Sequence, residues 1–379
     1  MITLFYARFS YINPGVPLFL KALQDNPPEG VRVVNVSERT PDEVTGLARE
    51  SSTIVIDQSI ENAATWAKPG NFSIYRIYGK HPTSFFGEIS ERLWSSDARR
   101  VFMSNFDLHD LRLPALIEKM RGRVDAISWM FEKRPLTPSE VPPQYRDRWL
   151  TPQHDPLRTW NLIREIAPVR IELPFSIAPA EFSEPSGRQL WDACVPGTKY
   201  ATRTIATRAI KGKGLSCAPA RLSGQLVAGL SLVLGKIAPP EPASLATIRM
   251  YHVVQRRLVG ASGTVFVCGS GVAFATRKFF EIPALQKPMI AYPCVGFEDY
   301  GFADGINVLS TPPEEAGQKA KWLHDRPIEA ARIAKEGQKM MERLHSLKAR
   351  IGQFVECVRR VDSASLRCAE FRAGKFEIQ

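Results

Sequence analysis

Short apolar runs alternate with amphipathic segments through the first half of the chain. Apolar runs with β-branched and aromatic residues predict strands, and apolar positions spaced three and four apart predict helices. The predicted strands are 2–9, 31–36, 53–57, 73–78, 100–104, 124–130 and 169–173, and the predicted helices are 16–23, 41–50, 108–120 and 157–166. This alternation of strands and helices predicts a parallel α/β sheet.

The same alternation restarts after a stretch rich in proline and serine, 174–188, which predicts a linker. Strands are predicted at 190–195 and 216–219, helices at 199–210, 244–258, 314–324, 327–345 and 348–360, and an irregular basic tail after them. The run 226–234 fits a helix or a strand. We therefore predict domains at 1–180 and 181–350, followed by a C-terminal helix and tail at 351–379 that could return to the first domain.

The stretch 264–310 has the order of a phosphate-binding site at the edge of a parallel sheet. It comprises an apolar strand, a glycine loop, a short helix carrying Glu281, a second apolar strand and a second glycine-rich loop. Glycine lets backbone amides approach phosphate, and a carboxylate on the next element can accept hydrogen bonds from ribose. Gly269-Ser270-Gly271 lacks the full spacing and the downstream acid of a dinucleotide site, which argues against NAD.

Composition narrows the functional classes. The 379 residues are 44% hydrophobic and 23% charged, which is typical of a globular protein. The formal net charge of +11 fits a solvated basic surface, an anionic ligand or an anionic membrane surface. No zinc-finger spacing or RNA-binding aromatic signature is present, so nucleic acid is the least supported partner.

The cysteines and the apolar segments indicate in which cellular compartment the protein resides. The six cysteines form no CxxC pair, which favours reduced core residues over disulfides or metal ligands. The N-terminus begins with a strand and lacks the features of a signal peptide, and the longest apolar run is too short to span a bilayer. We predict a cytoplasmic protein and leave peripheral contact with the inner face of the membrane open.

The segment FFEIPALQKPMIAYPCVGFEDYGFADGINVL resembles the nucleotide-sugar site of GT-B glycosyltransferases. RKFFEIPAL, followed by two helices, is most similar to their CgeB-like (spore-maturation-protein type) branch. The resemblance covers roughly residues 190–350. It implies two Rossmann-like domains facing each other across a cleft. The C-terminal domain would bind a UDP- or GDP-sugar, and the N-terminal domain would bind a glycan or lipid-linked saccharide acceptor.

The resemblance also implies roles for single residues. Glu281 matches the carboxylate that binds ribose, and Gly296 matches the glycine loop near the diphosphate. Asp304, Gly305 and Asn307 match the turn that follows, Arg277 matches the arginine before the Glu, and Gly197 and Arg203 match the start of the C-terminal domain. The sequence departs from the pattern twice. Ala273 stands where many relatives have a sugar-contacting Glu, and Gln286 stands where the turn usually has Gly.

The leaving nucleoside diphosphate develops negative charge that must be stabilised. The sequence contains no Asp-x-Asp metal motif. Arginines, backbone amides and a helix dipole can stabilise the charge instead, so we predict a mechanism without metal or cofactor. Arg203, Arg277 and Lys211 are the candidate cations. For Lys211 a plain surface cation is the favoured alternative, and for Glu281 the alternative is a structural salt bridge with Arg277.

A general base for the acceptor hydroxyl is expected only if the reaction inverts the sugar configuration. His81, Asp107 and Asp110 follow predicted strands of the first half, where open α/β sheets place ligands. A turn histidine and a helix N-cap are the alternatives for these residues.

The sequence thus predicts a metal-independent hexosyltransferase of GT-B architecture that acts in polysaccharide biosynthesis. A nucleotide-sugar epimerase of the same fold is one alternative. A catalytically degenerate binding or scaffold protein is the other, because of Ala273 and Gln286.

Overall fold

The fold is given by a computed structural model that describes residues 1–7, 9–11, 15–66, 75–77, 81–104, 113–129, 133–147, 155–182, 188–197, 199–219 and 256–379. Its α-helices are α1 Gly15–Asp25, α2 Pro41–Arg49, α3 Gln58–Trp66, α4 Thr83–Trp94, α5 Leu113–Glu118, α6 Pro156–Ile166, α7 Ala201–Gly212, α8 Arg257–Gly260, α9 Lys278–Ala284, α10 Ala316–His324, α11 Pro327–Met340 and α12 Leu347–Asp362. Short 3₁₀ turns lie at Val36–Glu38, Pro143–Tyr145, Pro179–Glu181 and Pro313–Glu315, and a π-helical turn lies at Met341–His345.

The larger sheet has eight strands. They are β1 Ile2–Tyr6, β3 Val31–Asn35, β4 Thr53–Asp57, β6 Arg99–Ser104, β7 Ala126–Trp129, β8 Val169–Glu172, β13 Cys368–Arg372 and β14 Lys375–Ile378, and a separate two-stranded pair consists of β2 Phe9–Tyr11 and β5 Tyr75–Ile77. The strand order of the larger sheet is β14-β13-β8-β7-β6-β4-β1-β3. Every pairing in it is parallel except that of β13 with β14. The five residues of β4 are all buried, as expected for an apolar strand covered on both faces.

The smaller sheet is parallel and has four strands: β9 Trp191–Cys194, β10 Ser262–Val267, β11 Met289–Ala291 and β12 Leu309–Ser310. Their order is β12-β11-β10-β9. Apolar residues of α7, α10 and α11 form one core with the sheet, among them Ile210, Leu323 and Ile333. Phe279 and Phe280 of α9 belong to a second core, which continues into the larger sheet through Phe175 and Phe371. The two sheets therefore share buried apolar contacts.

The end of the chain belongs to the larger sheet. α12 begins at the N-cap Ser346 and contacts α1, β4 and β6. Phe354 of α12 packs edge-on against Phe19 with ring centroids 5.4 Å apart, and Asp362 accepts a hydrogen bond of 2.7 Å from Thr53 Oγ1. The β13–β14 hairpin then extends the sheet beyond β8. The domain limits at 180 and 350 stay a prediction.

The structure differs from the sequence-based prediction at three places. The basic tail is the β13–β14 hairpin rather than irregular chain. Residues 75–77 form β5, which pairs antiparallel with β2 instead of joining the parallel sheet. Helices α3 and α4 have no counterpart among the predicted elements. The predicted linker 174–188 lies between β8 of the larger sheet and β9 of the smaller sheet. Its residues 174–178 are buried, and Ile177 exchanges backbone hydrogen bonds with His345 and Leu347.

Several predicted elements lie wholly or partly outside the described residues, among them the run 226–234, most of the helix 244–258 and the first part of the helix 108–120. Within the described part of the chain, no helix combines the length and apolarity needed to cross a membrane.

Candidate functional site

A cluster of charged side chains lies at the carboxyl edge of the smaller sheet, where the loops after β9 and β10 meet. Gly197, in the loop after β9, has φ +103°, a conformation that favours glycine. A Cβ atom at this position would lie 2.5 Å from Arg203 Nη1 and 2.9 Å from Lys278 Cε. Both distances are too short for real contacts, so only glycine lets these two cations approach the loop so closely.

Arg203 is held in place by α7. It is 5% exposed, its Nη2 donates a 3.0 Å hydrogen bond to the carbonyl of Cys268, and its guanidinium lies 4.5 Å from the ring centroid of Tyr200. Cys268 directly follows β10, so Arg203 joins the first loop of the smaller sheet to the second. A buried, oriented guanidinium at this edge is suited to recognise an oxyanion.

Glu281 lies on α9 in a buried ion-pair network. Arg277 donates hydrogen bonds to Glu281 and to Glu181, and all three side chains are at most 10% exposed. Lys278 Nζ is 3.9 Å from the second carboxylate oxygen of Glu281. Burial lowers the pKa of Lys278, and the charge of Glu281 opposes that shift.

Arg277 therefore has a structural role whether or not it contacts a ligand. Glu181 lies in the segment between the two sheets, where its other oxygen accepts a 2.8 Å hydrogen bond from the amide of Ala178. The two carboxylates hold the guanidinium between them and join this segment to α9. The salt bridge between Arg277 and Glu281 that the sequence allowed is present, and the ribose-binding role of Glu281 stays a prediction.

An internal carboxylate occupies the N-terminus of α7. Asp147 Oδ1 accepts a 2.6 Å hydrogen bond from the amide of Ala201, the first residue of this 12-residue helix. Burial raises the pKa of Asp147, while hydrogen bonds from the amides of Ala201 and Gly271 and the charge of Arg203 oppose the rise. The carboxylate of Asp147 is thus an anion already held by the N-terminus of α7, the glycine loop and Arg203.

The loop that carries Asp147 comes from the first half and closes over the glycine loop. A Cβ at Gly271 would lie 2.3 Å from the carbonyl oxygen of Tyr145, so glycine is required for this approach. Tyr145 also donates a 2.6 Å hydrogen bond to Glu314 and packs against Tyr292, with ring centroids 5.3 Å apart. The loop 133–147 therefore bridges both halves at the candidate site.

Gly296 and Asp304 line a cavity of about 370 Å³. Glu298, Asp299 and Asp304 all line it, and its lining includes no cation among the described residues. Gly296 has φ +75°, and a Cβ there would lie 2.6 Å from Lys133 Cγ. Lys133 Nζ lies 3.9 Å from Asp299 Oδ2 and offsets part of the negative charge of the lining. The contact of Gly296 with a diphosphate stays a prediction.

Asp304 and Asn307 hydrogen-bond to their own loop. Asp304 Oδ1 accepts from the amide of Ser310 at 2.7 Å. The Asn307 side chain accepts from the amide of Ala303 and donates to the carbonyl of Gly301, both at 2.9 Å. These contacts fix the shape of the turn, and a ligand contact by either residue stays a prediction.

The two departures from the family pattern share one backbone feature. Ala273 has φ +53° and Gln286 has φ +51°, both in the left-handed region. A side chain in this region costs roughly 1–2 kcal/mol relative to glycine. The φ of +51° explains why glycine is usual at the position of Gln286. This chain keeps the shape of the turn with glutamine there.

The other predicted residues lie elsewhere or outside the described part. His81 Nε2 contacts the carbonyl oxygen of Ser37 at 3.2 Å, and its ring stacks on Phe85 with centroids 3.9 Å apart. Both partners belong to the first half. Asp107 and Asp110 lie outside the described residues. Lys211 lies in the last turn of α7, about 15 Å along the helix from its N-terminus.

Sequence reasoning missed Lys278 and Asp147. Lys278 directly follows Arg277 and precedes Glu281 by three residues, so its proximity to that carboxylate could have been inferred from helical spacing. Asp147 lies in a proline-rich loop with no local signal. Within the described ranges no group of three or more His, Cys, Asp or Glu side chains could hold a metal ion.

Comparisons with known proteins support the architecture. No family model matches the chain, and no curated protein matches its sequence. The crystal structure of HepE from Anabaena with UDP-glucose matches with a TM-score of 0.50 at 12% identity, covering 95% of this chain and 99% of that one. Sucrose-phosphate synthase from Thermosynechococcus elongatus matches with a TM-score of 0.49 at 13% identity, covering 96% and 99%.

A glycosyltransferase from Rickettsia africae matches with a TM-score of 0.48 at 10% identity, covering 95% of this chain and 98% of that one. At such identities the likeness to HepE shows the fold alone. The fold class predicted from the sequence, an α/β chain of GT-B architecture, is confirmed.

Proposed function

We propose that this chain is a glycosyltransferase that takes a sugar from a nucleotide-sugar donor and transfers it to a glycan or lipid-linked saccharide. One observation carries the proposal. Arg203 and Lys278 converge on Gly197 at the carboxyl edge of a parallel sheet, beside the N-terminus of α7. Open α/β sheets bind ligands at this edge, and HepE, which shares the fold, binds UDP-glucose in its crystal structure.

The donor diphosphate would lie between Arg203, Lys278 and the amide of Ala201. Two cations and a helix N-terminus offset the negative charge that develops on the leaving nucleoside diphosphate, and their burial strengthens that interaction. No step of this scheme needs a metal, and the metal-independent mechanism is part of the proposal. The proton released from the acceptor hydroxyl has no assigned base, since His81, Asp107 and Asp110 stay predictions.

Glu281 would accept hydrogen bonds from the ribose hydroxyls. An ionised carboxylate has about four acceptor sites, so its ion pair with Arg277 is compatible with a second set of partners. Arg277 would then act as a positioning residue that fixes the carboxylate. The CgeB-like assignment and a cytoplasmic location are further parts of the proposal that rest on the sequence.

Asp147 would compete with the donor. Its carboxylate takes the helix amide that the diphosphate would use, so the donor must displace the loop end that carries Asp147. The present arrangement would then be a donor-free form of the site.

Calorimetry with UDP and GDP tests the binding claim. A charged hydrogen bond contributes about 1.5–3 kcal/mol, so Lys278→Met should weaken nucleotide binding by roughly 10- to 150-fold. Glu281→Ala should weaken it as well, whereas Lys211→Met, which removes a cation from the far end of α7, should have no effect. Failure of the wild type to bind either nucleotide, or equal binding by all variants, would refute the site.

A panel of nucleotide sugars, each incubated with and without cell-extract acceptors, tests the catalytic claim. A glycosyltransferase should release nucleotide in an acceptor-dependent way. Nucleotide binding without any turnover would support the degenerate binding protein that Ala273 allows. Conversion of the donor sugar without acceptor would instead support the epimerase.

A further inference from the structure

A second cavity lies at the opposite edge of the smaller sheet. It has a volume of about 670 Å³ and is bordered by the residues that precede β9, β10 and β11. At 3.3 Å per residue, the six residues of β10 place this amino edge about 20 Å from the loops that hold Gly197 and Arg203. Glu281 is nearer, because the amide of Leu285 in the cavity wall donates a 3.1 Å hydrogen bond to the carbonyl of Glu281. A ligand in this cavity would therefore not touch Gly197 or Arg203. Its volume falls within the roughly 300–1,000 Å³ of ligand pockets in proteins.

The cavity combines apolar walls with positive charge. Its walls include Phe182, Leu190, Trp191, Leu258 and Leu285. Leu190 is 56% exposed, one of the few large apolar side chains in the described ranges that face solvent. Four cations, Arg188, Arg256, Arg257 and Lys287, also line the cavity, and none of its described lining residues is acidic.

Lys287 is the most deeply buried of the four cations. It is only 8% exposed, and within the described part of the chain it has neither an ion pair nor a side-chain hydrogen bond. Burial lowers its pKa, with no charged neighbour contributing. A buried ammonium without a counter-charge is costly, and an anion entering the cavity would remove that cost.

The other cations differ in what they already bind. Arg256 donates to the carbonyl oxygens of Ala180 and Glu181 at 2.6 and 2.9 Å, which fixes its guanidinium at the cavity wall. Arg188 and Arg257 are exposed at the rim. A ligand with an anionic head beside an apolar chain would match both the charge and the walls.

We propose that this cavity binds an anionic phospholipid of a membrane surface, with the phosphate on these cations and an acyl chain against the apolar walls. Charge complementarity selects this occupant: the cavity is cationic and apolar at once, and guanidinium groups bind phosphate bidentately. The site would tether the protein to a membrane through the edge of the sheet that faces away from the donor.

Co-sedimentation with phosphatidylglycerol and phosphatidylcholine vesicles tests the proposal. The wild type should bind the anionic vesicles only. Each cation near an anionic surface contributes about fivefold in affinity, so Lys287→Gln should weaken binding by at least about fivefold and Arg188→Gln/Arg257→Gln by about 25-fold. UDP affinity should not change in these variants.

Charge-matched controls separate a specific site from general attraction. Lys335→Gln and Lys335→Gln/Arg367→Gln remove exposed cations that do not line the cavity, and both should bind vesicles like the wild type. Lys287→Gln should keep or raise the melting temperature, because it removes an uncompensated buried charge; a loss of folding stability would indicate a structural role and overturn the assignment.

Three other outcomes would overturn the proposal: wild-type protein that ignores anionic vesicles, equal weakening by cavity and control variants, or calorimetric binding of monomeric dodecyl phosphate without vesicle binding. The last outcome would assign the cavity to a soluble amphiphile. Polyglutamate at constant ionic strength could also displace the protein from vesicles. If it did so and Lys287→Gln left vesicle binding unchanged, an acidic peptide would be the indicated ligand instead.

Discussion

Replacing Asp147 by asparagine should tighten the binding of UDP. The wild-type carboxylate accepts a 2.6 Å hydrogen bond from the amide of Ala201 and lies near the charge of Arg203. Asparagine keeps the shape and one acceptor oxygen but removes the charge that a diphosphate must displace. A carboxylate at a helix N-terminus contributes about 0.3–1 kcal/mol, and up to about 2 when partly buried.

Because Asp147 is half-buried, about 1 kcal/mol is a reasonable value, and it corresponds to roughly fivefold tighter binding of UDP. The free energy of unfolding of the ligand-free protein should not fall, because burial raises the pKa of Asp147 and so disfavours its charged form in the folded protein. Isothermal titration calorimetry measures the first quantity and urea unfolding the second.

Asp155→Asn is the matched control. Asp155 caps α6 by accepting a 3.0 Å hydrogen bond from the amide of Arg158, and it lies in the first half on an exposed helix end. Its replacement should leave UDP affinity unchanged and change stability little, because asparagine caps helices about as well as aspartate. Competition between Asp147 and the donor would be refuted if Asp147→Asn left UDP binding unchanged, or if both variants changed UDP affinity equally.

Two more predictions concern the packing behind the site. Gly197→Ala should abolish UDP binding, because its Cβ would displace Arg203, whereas Gly305→Ala has a similar positive φ but open space and should bind normally. Buried His345 donates to the Tyr300 carbonyl and accepts from Arg350, and burial lowers its pKa to about 3. As pH drops from 6.5 toward 3, the free energy of unfolding of the wild type should therefore fall, relative to that of His345→Gln, by up to about 1.4 kcal/mol per pH unit. An equal dependence of the two free energies on pH, measured by urea unfolding, would contradict this.

The direction of the His345 effect follows from proton counts. Between its folded and unfolded pKa values the unfolded chain binds one more proton than the folded chain, so acid favours unfolding. The stabilising neutral form is fully present above pH 6.5. The same network contains Glu172, and burial raises the pKa of this carboxyl to about 7. Between pH 4.5 and 7 its contribution to the free energy of unfolding therefore has the opposite sign. Glu172 must be present in both proteins that are compared.

Strands with continuous apolar character could be predicted from the sequence alone. TIVID, for example, is buried along its whole length in β4. The β13–β14 hairpin was missed because its strands carry many charges, although Ala369 and Phe371 alternate with polar residues and are buried. Ala373 and Gly374 both have positive φ, which is the local signal of a two-residue hairpin turn.

The candidate site was predictable only where local spacing determines contact. Arg277 and Glu281 are four residues apart on one helix face, and their ion pair follows from that spacing. The approach of Asp147 to Ala201 joins residues 54 positions apart, and the burial of Glu181 beside Arg277 joins residues 96 apart. Such contacts depend on how the two sheets pack together, which no local pattern encodes.

A crystal structure of the protein with bound UDP is the most direct test of the proposed donor site. We expect diphosphate oxygens within hydrogen-bond distance of Arg203 and Lys278, ribose hydroxyls on Glu281, and Asp147 displaced from the amide of Ala201. UDP bound in the acidic cavity beside Gly296, or no bound UDP at saturating concentration with Asp147 still on Ala201, would contradict the proposed site.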